Sequence, residues 1–219
     1  MKKSAFSIII VLCFAAAIAY SGCYDGGTFT AKSYVCEEDV RSVVVNAADR
    51  EVEICAAADG KIRAEYIESE KEYYEIDVQD AQLTIKLVYD KEWSDFIGTA
   101  PAAEHRTIKL YLPDGVLSDI SVKTTNESIK FALAVTGSVT LENNGGDLKL
   151  ENVSVGKSLL LTAKNGNIAG TVRGDLSDFS VSCTVKKGES NLPASKPNGA
   201  KSLIANCNNG DIRIDFIGG

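Results

Sequence analysis

The sequence has very little of the material from which most catalytic and metal sites are built. Its 219 residues include one His, one Met and one Trp, and four Pro against 18 Gly. It contains no Cys-x-x-Cys pair with a nearby His of the kind that binds zinc. A hydrophobic content of 45% with 24% charged residues is typical of a soluble globular chain with one or two domains. We therefore expect no cofactor and no metal ion.

Basic residues are scarce relative to acidic ones. There are 30 Asp and Glu against 23 Lys and Arg, which gives a net charge of −7. Removal of a signal segment carrying Lys2 and Lys3 would leave 21 basic residues against 30 acidic ones, a net charge of −9. An acidic chain without basic clusters is a poor partner for nucleic acid or anionic lipid, so we expect neither.

The first 22 residues have the pattern of a helical signal peptide. Lys2 and Lys3 precede an apolar run over residues 8–19, and small residues follow it. The run is shorter than the ~20 residues that a transmembrane helix needs. The pattern therefore predicts export.

The signal segment ends in Ser21-Gly22-Cys23, which resembles the lipobox of bacterial lipoproteins. In that pattern the Cys carries the lipid and becomes the mature N-terminus, so Cys23 is the predicted lipidation site and residues 23–35 are a predicted tether. The pattern prefers Leu where Tyr20 stands. Cleavage after Ala19, or an anchor that is not cleaved, are therefore the alternatives. The preferred location is the outer side of the cytoplasmic membrane or the cell surface, with a lipid anchor.

Residues 117–216 repeat one pattern five times: a short alternating apolar run, a turn, and a second alternating run. The residues that follow the polar turn residue serve as anchors for the alignment: Ile129, Leu148, Ile168, Ser190 and Ile212. The steps between them are 19, 20, 22 and 22 residues. A period in this range is typical of a solenoid, whose units bury their apolar faces by stacking on one another.

Apolar positions in the repeat are spaced by two, with polar residues between them, as in half-buried strands. Seven residues before the anchor stand Val122, Leu141, Leu161 and Ala205, and Val181 fits if one turn is two residues longer. Four residues after the anchor stand Leu133, Asn152, Val172, Ala194 and Phe216. Similar residues at equivalent places in successive coils predict a β-helix-like stack of short parallel strands in register around a continuous core.

Residues 36–112 also have the pattern of strands. β-branched and aromatic residues alternate with polar ones over residues 42–46, 51–55, 61–66, 73–78, 82–87 and 107–112. No long helical pattern follows the signal segment. We expect an all-β chain with an N-terminal β part over residues 36–112 and a repeat part over residues 113–219, the two forming one continuous domain.

Residues 91–104 interrupt the strand pattern and carry Trp93 and Phe96. Trp and Phe on a loop are often contact residues, so this segment is a candidate binding loop. The alternative is that both side chains fold back to close an open end of the solenoid.

Four cysteines remain once Cys13 is removed with the signal and Cys23 carries lipid: Cys36, Cys55, Cys183 and Cys207. With the longer turn allowed, Cys183 and Cys207 share a position in adjacent coils ~4.8 Å apart, a distance that suits a disulfide. Cys36 and Cys55 would then pair by elimination. The alternative is that all four are small buried apolar residues.

The order of these features resembles a bacterial domain family known as "putative adhesin", whose function is otherwise unknown. The resemblance covers residues 36–216 and is most specific at Leu110-Tyr111-Leu112-Pro113 and at residues 164–168 and 208–212. It implies a solenoid-like β fold at the cell envelope and supplies no catalytic residues. Asn126-Glu127 replaces Asn-Gly in the first repeat, and Ser190 replaces Ile in the fourth. We expect those coils to be looser.

Acidic residues recur at the turns, as Asp147, Glu189 and Asp211. Paired carboxylates are the working groups of glycosidases. The same residue types suit a turn, however, because Asp and Asn hydrogen-bond their own backbone there. His105 has no partner that would complete a catalytic triad, and we expect it to face solvent. The sequence therefore favours a chain without catalytic residues.

These patterns predict a non-catalytic exported envelope protein, a lipoprotein that acts as an adhesin-like binding or assembly module. A secreted β-helix carbohydrate-active enzyme and an envelope sensory or stress-response module are the alternatives. The expected partners are the membrane through the lipid, an envelope protein or a glycan, and other copies through exposed solenoid edges. Self-association is suggested because residues 212–217 end the chain without an obvious polar cap.

Overall fold

A computed structural model describes residues 29–90 and 105–218, and within these ranges it contains 18 β-strands and one short 3-10 turn, Leu176–Asp178. The first seven strands are β1 Thr30–Cys36, β2 Ser42–Asn46, β3 Glu51–Ala56, β4 Ile62–Glu68, β5 Glu72–Gln79, β6 Gln82–Tyr89 and β7 Thr107–Leu112. The repeat part contains β8 Asp119–Thr124, β9 Ile129–Ala132, β10 Ala134–Val135, β11 Ser138–Asn143, β12 Leu148–Val155, β13 Ser158–Asn165, β14 Ile168–Arg173, β15 Phe179–Lys187, β16 Ser195–Lys196, β17 Lys201–Asn209 and β18 Ile212–Ile217. The predicted signal peptide, Cys23 and the loop residues Trp93 and Phe96 lie outside the described residues.

The strands form two sheets that face each other. Sheet A has the order β1-β4-β7-β3-β9-β12-β14-β18, and β10 pairs with β12. Sheet B has the order β16-β15-β17-β13-β11-β8-β2-β6-β5. The coils β8–β9, β11–β12, β13–β14 and β17–β18 each contribute their first strand to sheet B and the second to sheet A, whereas β15 is followed by β16 in sheet B. The predicted all-β solenoid of parallel strands is confirmed.

The core lies between the two sheets and is built from the alternate residues that the sequence pattern marked as apolar. Val122, Leu141 and Leu161 are consecutive neighbours in register across β8, β11 and β13, and none of them is exposed to solvent. Full burial of a side chain of this size contributes about 1.5–3 kcal/mol. Stacked rows of such residues therefore hold successive coils together.

The coils do not stack in the order of the chain. β2 and β3 lie beside β8 and β9, while β6 and β7, which come later in the sequence, lie further out. At the other end, β17 and β18 lie between the β13–β14 coil and β15. The coil pattern predicted each unit but not these two changes of order.

The register of β15 differs from the sequence alignment. Cys183 lies opposite Ala205, and Val181 lies opposite Leu203. The seven-residue offset from the anchor therefore holds for all five repeats, and the two-residue longer turn was a wrong assumption. An isolated bridge between Ser190 and Ile212 confirms that Ser190 is the anchor of its coil.

A β-bulge in β12 moves Asn152 out of the core position predicted for it. Asn152 adopts a positive φ of 52°, and Val153 pairs with Val172 in its place. The backbone N–H of Asn152 donates to Thr171 Oγ1 at 2.8 Å. Asn tolerates this left-handed conformation better than most residues, so the polar side chain turns outward and Val153 fills the core.

The predicted tether is shorter than expected. Residues 30–35 belong to β1, which pairs antiparallel with β4 from Thr30 opposite Glu68 to Cys36 opposite Ile62. The segment forms a strand because it contains no Gly or Pro and can cover the edge of β4.

The C-terminal rung has a polar cap supplied by residues that precede it in the chain. Asn191 Nδ2 donates to the carbonyl of Ile214 at 3.0 Å, and Asn191 Oδ1 accepts the Ile214 N–H at 3.0 Å. In sheet B, β16 pairs with β15, and Lys196 Nζ donates to the carbonyls of Phe179 and Asn198 at 2.8 and 2.9 Å. The prediction that residues 212–217 have no polar cap is therefore wrong, and the expected self-association was based on that prediction.

The described residues contain no helix with the length and apolar character needed to cross a membrane.

Candidate functional site

Side chains at one corner of the solenoid form a ladder across the coils. Asp147 Oδ1 accepts the backbone N–H of Asn167, Asn167 Oδ1 accepts that of Asp211, and Asp211 Oδ1 accepts that of Glu189, each at 2.9 Å. Ser128 Oγ accepts the N–H of Asp147 at 3.3 Å. The sequence had suggested that these turn residues bind their own backbone. In the structure they bind the backbone of the neighbouring coil instead. Their acceptor atoms hold the stack together.

Glycines beside this ladder allow the coils to approach closely. A Cβ built on Gly166 would lie 2.3 Å from the carbonyl oxygen of Gly146, and one on Gly210 would lie 2.3 Å from that of Gly166. Gly166 has φ +147° and Gly210 has φ +141°, conformations that other residues rarely adopt. The corner that carries the recurring carboxylates is therefore a structural element.

The four cysteines are free thiols. The strands β4 and β7 lie between β1, which carries Cys36, and β3, which carries Cys55, so the predicted pairing of these two is wrong. Cys207 lies opposite Val185, two residues beyond Cys183 along β15, so their shared coil position is also wrong. Cys183 Sγ lies 3.2 Å from Ser190 Oγ, and burial raises the pKa of the Cys207 and Cys55 thiols.

His105 does not simply face solvent. Its ring stacks on Phe29 with 4.8 Å between centroids and an interplanar angle of 23°. Within residues 29–90 and 105–218, no group of three or more His, Cys, Asp or Glu side chains is placed to hold a metal ion.

The outer face of sheet A carries a row of charged side chains of both signs across neighbouring strands. Lys109, Glu53, Lys130 and Lys149 are in register on β7, β3, β9 and β12. Lys130 Nζ contacts Glu53 Oε1 at 2.6 Å and Glu51 Oε1 at 3.0 Å, and Lys109 Nζ lies 3.6 Å from Glu53. The hydrogen bond from Lys130 lowers the pKa of Glu53, and the same bond raises the pKa of Lys130.

Beside this row lies a shallow basin of about 460 Å³, with Cys55 and Ala132 among its lining residues. Its lysines are largely matched by Glu51 and Glu53, so it presents mixed charge rather than one sign.

A second concave surface, which we call the sheet B groove, has a volume of about 270 Å³ and crosses β8, β11, β13 and β17. Its outward side chains form two rows, which are Lys123, Glu142, Thr162 and Asn206, and then Asn144, Lys164 and Asn208. Lys123 pairs with Glu142 at 3.2 Å. The remaining five side chains of these rows make no hydrogen bond or ion pair to any described residue, so they are free to bind a ligand.

The match to a known family agrees with this architecture. Residues 40–217 match the family described as Toastrack DUF4097. The chain belongs to this family. The match spans both sheets, from the residues just before β2 to the end of β18, and the Toastrack fold is solenoid-like.

Three solved structures of bacterial proteins are similar to this chain at low sequence identity. A "putative cell adhesion protein" from Clostridium sporogenes is 12% identical, with a TM-score of 0.59, over 85% of this chain and 99% of that protein. A "putative adhesin" from Bacteroides fragilis is 12% identical, with a TM-score of 0.39, over 85% and 97%. One from Parabacteroides distasonis is 14% identical, with a TM-score of 0.31, over 86% and 98%. No curated protein matches the sequence.

Sequence reasoning missed one buried charge pair in this Toastrack chain. Arg50 and Glu72 form an ion pair in which each residue is only 1% exposed. Nearby, Tyr89 donates to the carbonyl of Ala48 at 2.6 Å. These contacts tie the β2–β3 turn to β5 and β6. No spacing or motif connects residues 50 and 72, so the pair could not be found without the fold.

Sequence reasoning also missed both concave surfaces. Their residues are the polar positions between the apolar ones, and the alternation did mark them as outward-facing. Which of them become neighbours depends on the order of the coils. Asn206 and Asn208 reach the groove only because β17 lies beside β13.

Proposed function

We propose that this Toastrack chain is a non-catalytic binding module of the bacterial cell envelope, exported and held outside the membrane by lipid on Cys23. The proposal is based on the difference between two sets of polar side chains, those that bind the neighbouring coil and those that have no partner among the described residues. The turn carboxylates of Asp147 and Asp211 bind the backbone of the neighbouring coil, whereas five side chains in the outward rows of sheet B leave their amide, hydroxyl or ammonium groups without a partner among the described residues. Free polar groups on rigid strands suit recognition.

The N-terminal segment supports the location. Its apolar run and the Ser-Gly-Cys ending favour export with a lipid on Cys23, and β1 begins only seven residues later, at Thr30. A short connection of this kind would keep the solenoid close to the membrane surface. The fold shared with a "putative cell adhesion protein" is consistent with an adhesin-like role.

A cosedimentation assay with envelope material tests the binding role. Full-length protein in mild detergent is mixed with purified cell-wall polysaccharide, and bound protein and released sugar are both measured. We expect saturable binding with no new reducing ends and no unsaturated products. Release of fragments at a rate that depends on protein concentration would contradict the non-catalytic proposal and favour a carbohydrate-active enzyme.

A further inference from the structure

The side-chain amides of the sheet B groove differ from those beside the groove in their hydrogen bonding. Asn165 and Asn209, one position further along the same strands, bind each other at 2.6 Å. Asn144, Asn206 and Asn208 have no such partner among the described residues, and the amides of the groove therefore keep both donor and acceptor atoms for a ligand. Amide groups that offer both kinds of atom suit hydroxyl groups, which also donate and accept.

The floor beside these amides is partly apolar. Leu160 on β13 and Ile204 on β17 are register partners that point to the outer face of sheet B and are half-buried. They lie two residues before Thr162 and Asn206 on the same strands. A sugar ring, with hydroxyls at its edge and C–H groups on its face, fits a surface that combines apolar and hydrogen-bonding groups.

The groove is positive in a chain whose net charge is −7. Glu142 is its one carboxylate among the lining residues, and Lys123 pairs with it. Lys164 has no carboxylate partner among the described residues. Lys186 on β15, beyond Asn208 of β17, is likewise exposed and unpaired within the described part of the chain. Two strand spacings separate the two lysines, a distance of about 10 Å.

We propose that the sheet B groove binds an acidic polysaccharide whose chain runs across the strands. Lys164 and Lys186 would pair with carboxylates on alternate sugars, because a disaccharide repeat has about the length that separates them. Asn208, on the strand between the two lysines, would bind the hydroxyls between the charged groups, and Thr162 and Asn144 would bind hydroxyls beside and beyond Lys164. This assignment deepens the proposed function and rests on it, since only an exported chain would meet such a polymer.

The test uses polygalacturonate as a probe and titration calorimetry of the full-length protein at low salt. The Lys164→Gln/Lys186→Gln variant is expected to bind the probe at least tenfold more weakly than the wild type, and Asn208→Ala several-fold more weakly. Lys149→Gln/Lys157→Gln is the matched control, because it removes the same charge from exposed lysines outside the groove. We expect the control to bind within twofold of the wild type, with thermal midpoints unchanged in all variants.

Two further probes separate charge from sugar recognition. Fully methyl-esterified polygalacturonate, which keeps the hydroxyls and lacks the charge, is expected to bind much more weakly. Inorganic polyphosphate, which has charge without hydroxyls, is expected to be insensitive to Asn208→Ala. Equal binding of polyphosphate and polygalacturonate, with the same insensitivity to Asn208→Ala, would overturn the polysaccharide assignment and leave a general anion site.

The experiments distinguish a failure of the groove assignment from a failure of the proposed function. If the groove variants and the control variant bind polygalacturonate equally, or if none binds it, the groove assignment is wrong. The same variants in the cell-wall cosedimentation assay then decide the wider proposal. Binding of wall polysaccharide that survives the groove substitutions would retain the envelope function and place its site elsewhere.

Discussion

At the corner between a sheet B strand and the following sheet A strand, the distance between coils depends on individual residues, through the lack of a Cβ and through one side-chain hydrogen bond. Gly166 leaves no room for a Cβ against Gly146, and Asp147 supplies one oxygen to the N–H of Asn167. Both residues belong to the recurring turns in which Gly is followed by Asp or Asn, as in Gly146-Asp147 and Gly166-Asn167. The pattern predicted a turn, but the contact that it serves lies between coils.

Gly166→Ala is expected to destabilise the fold by well over 1 kcal/mol, because the new methyl group meets the carbonyl of Gly146 at a φ that Ala rarely adopts. The midpoint of urea unfolding measures the effect. Gly60→Ala is the control, since Gly60 has φ +70° and nothing within 4 Å of the added Cβ. The Gly60→Ala variant should lose only about 1 kcal/mol, which is the cost of placing Ala at a positive φ. Equal losses in the two variants would mean that the close approach of coils at Gly166 is unimportant.

Asp147→Ala is expected to lower the free energy of unfolding by about 1 kcal/mol, because it leaves the N–H of Asn167 without its acceptor. Asp147→Asn should retain most of the stability, since its side-chain oxygen can still accept, as Asn167 does in the next coil. Chemical denaturation of the two variants separates the hydrogen bond from the charge. A loss as large in Asp147→Asn as in Asp147→Ala would show that the carboxylate charge matters instead.

At the scale of the strand, the alternating pattern was sufficient to predict most of the interior. The seven-residue offset from the anchor correctly placed Val122, Leu141, Leu161 and Ala205 in one row. The position four residues after the anchor was wrong for β12, where Asn152 stands, because a bulge depends on a local left-handed residue and on the partner Thr171 rather than on periodicity. The pattern also could not show that residues 188–200 close the end of the stack, since a cap is recognised by what it covers.

The cap formed by Asn191 is expected to keep the end strand of sheet A from pairing with other chains. Asn191→Leu removes the partners of both the N–H and the carbonyl of Ile214, and an open edge of this kind templates strand addition. Sedimentation velocity over a concentration series should show association of this variant and a monomeric wild type. Asn46→Leu, an equal change at an exposed position within sheet B, should remain monomeric. A monomeric Asn191→Leu variant would show that this cap does not control association.

At the scale of the whole molecule, the stacking order determines where function can reside. The order departs from the chain order at both ends, and the departure at the C-terminal end brings β17 beside β13 and so completes the sheet B groove. The sequence could predict the units because periodicity is local. It could not predict their order, because coils with the same apolar positions can replace one another in the stack.

The whole account depends on the chain acting at the envelope, and the intact mass of the protein expressed in a bacterial host tests this most directly. We predict a mass that begins at Cys23 with a diacylglyceryl addition, together with partitioning into the detergent phase. Cys23→Ser should lose both properties while keeping its fold. A mass that begins near Tyr20 without lipid, in protein that stays in the aqueous phase, would contradict the lipid anchor and the role at the membrane surface.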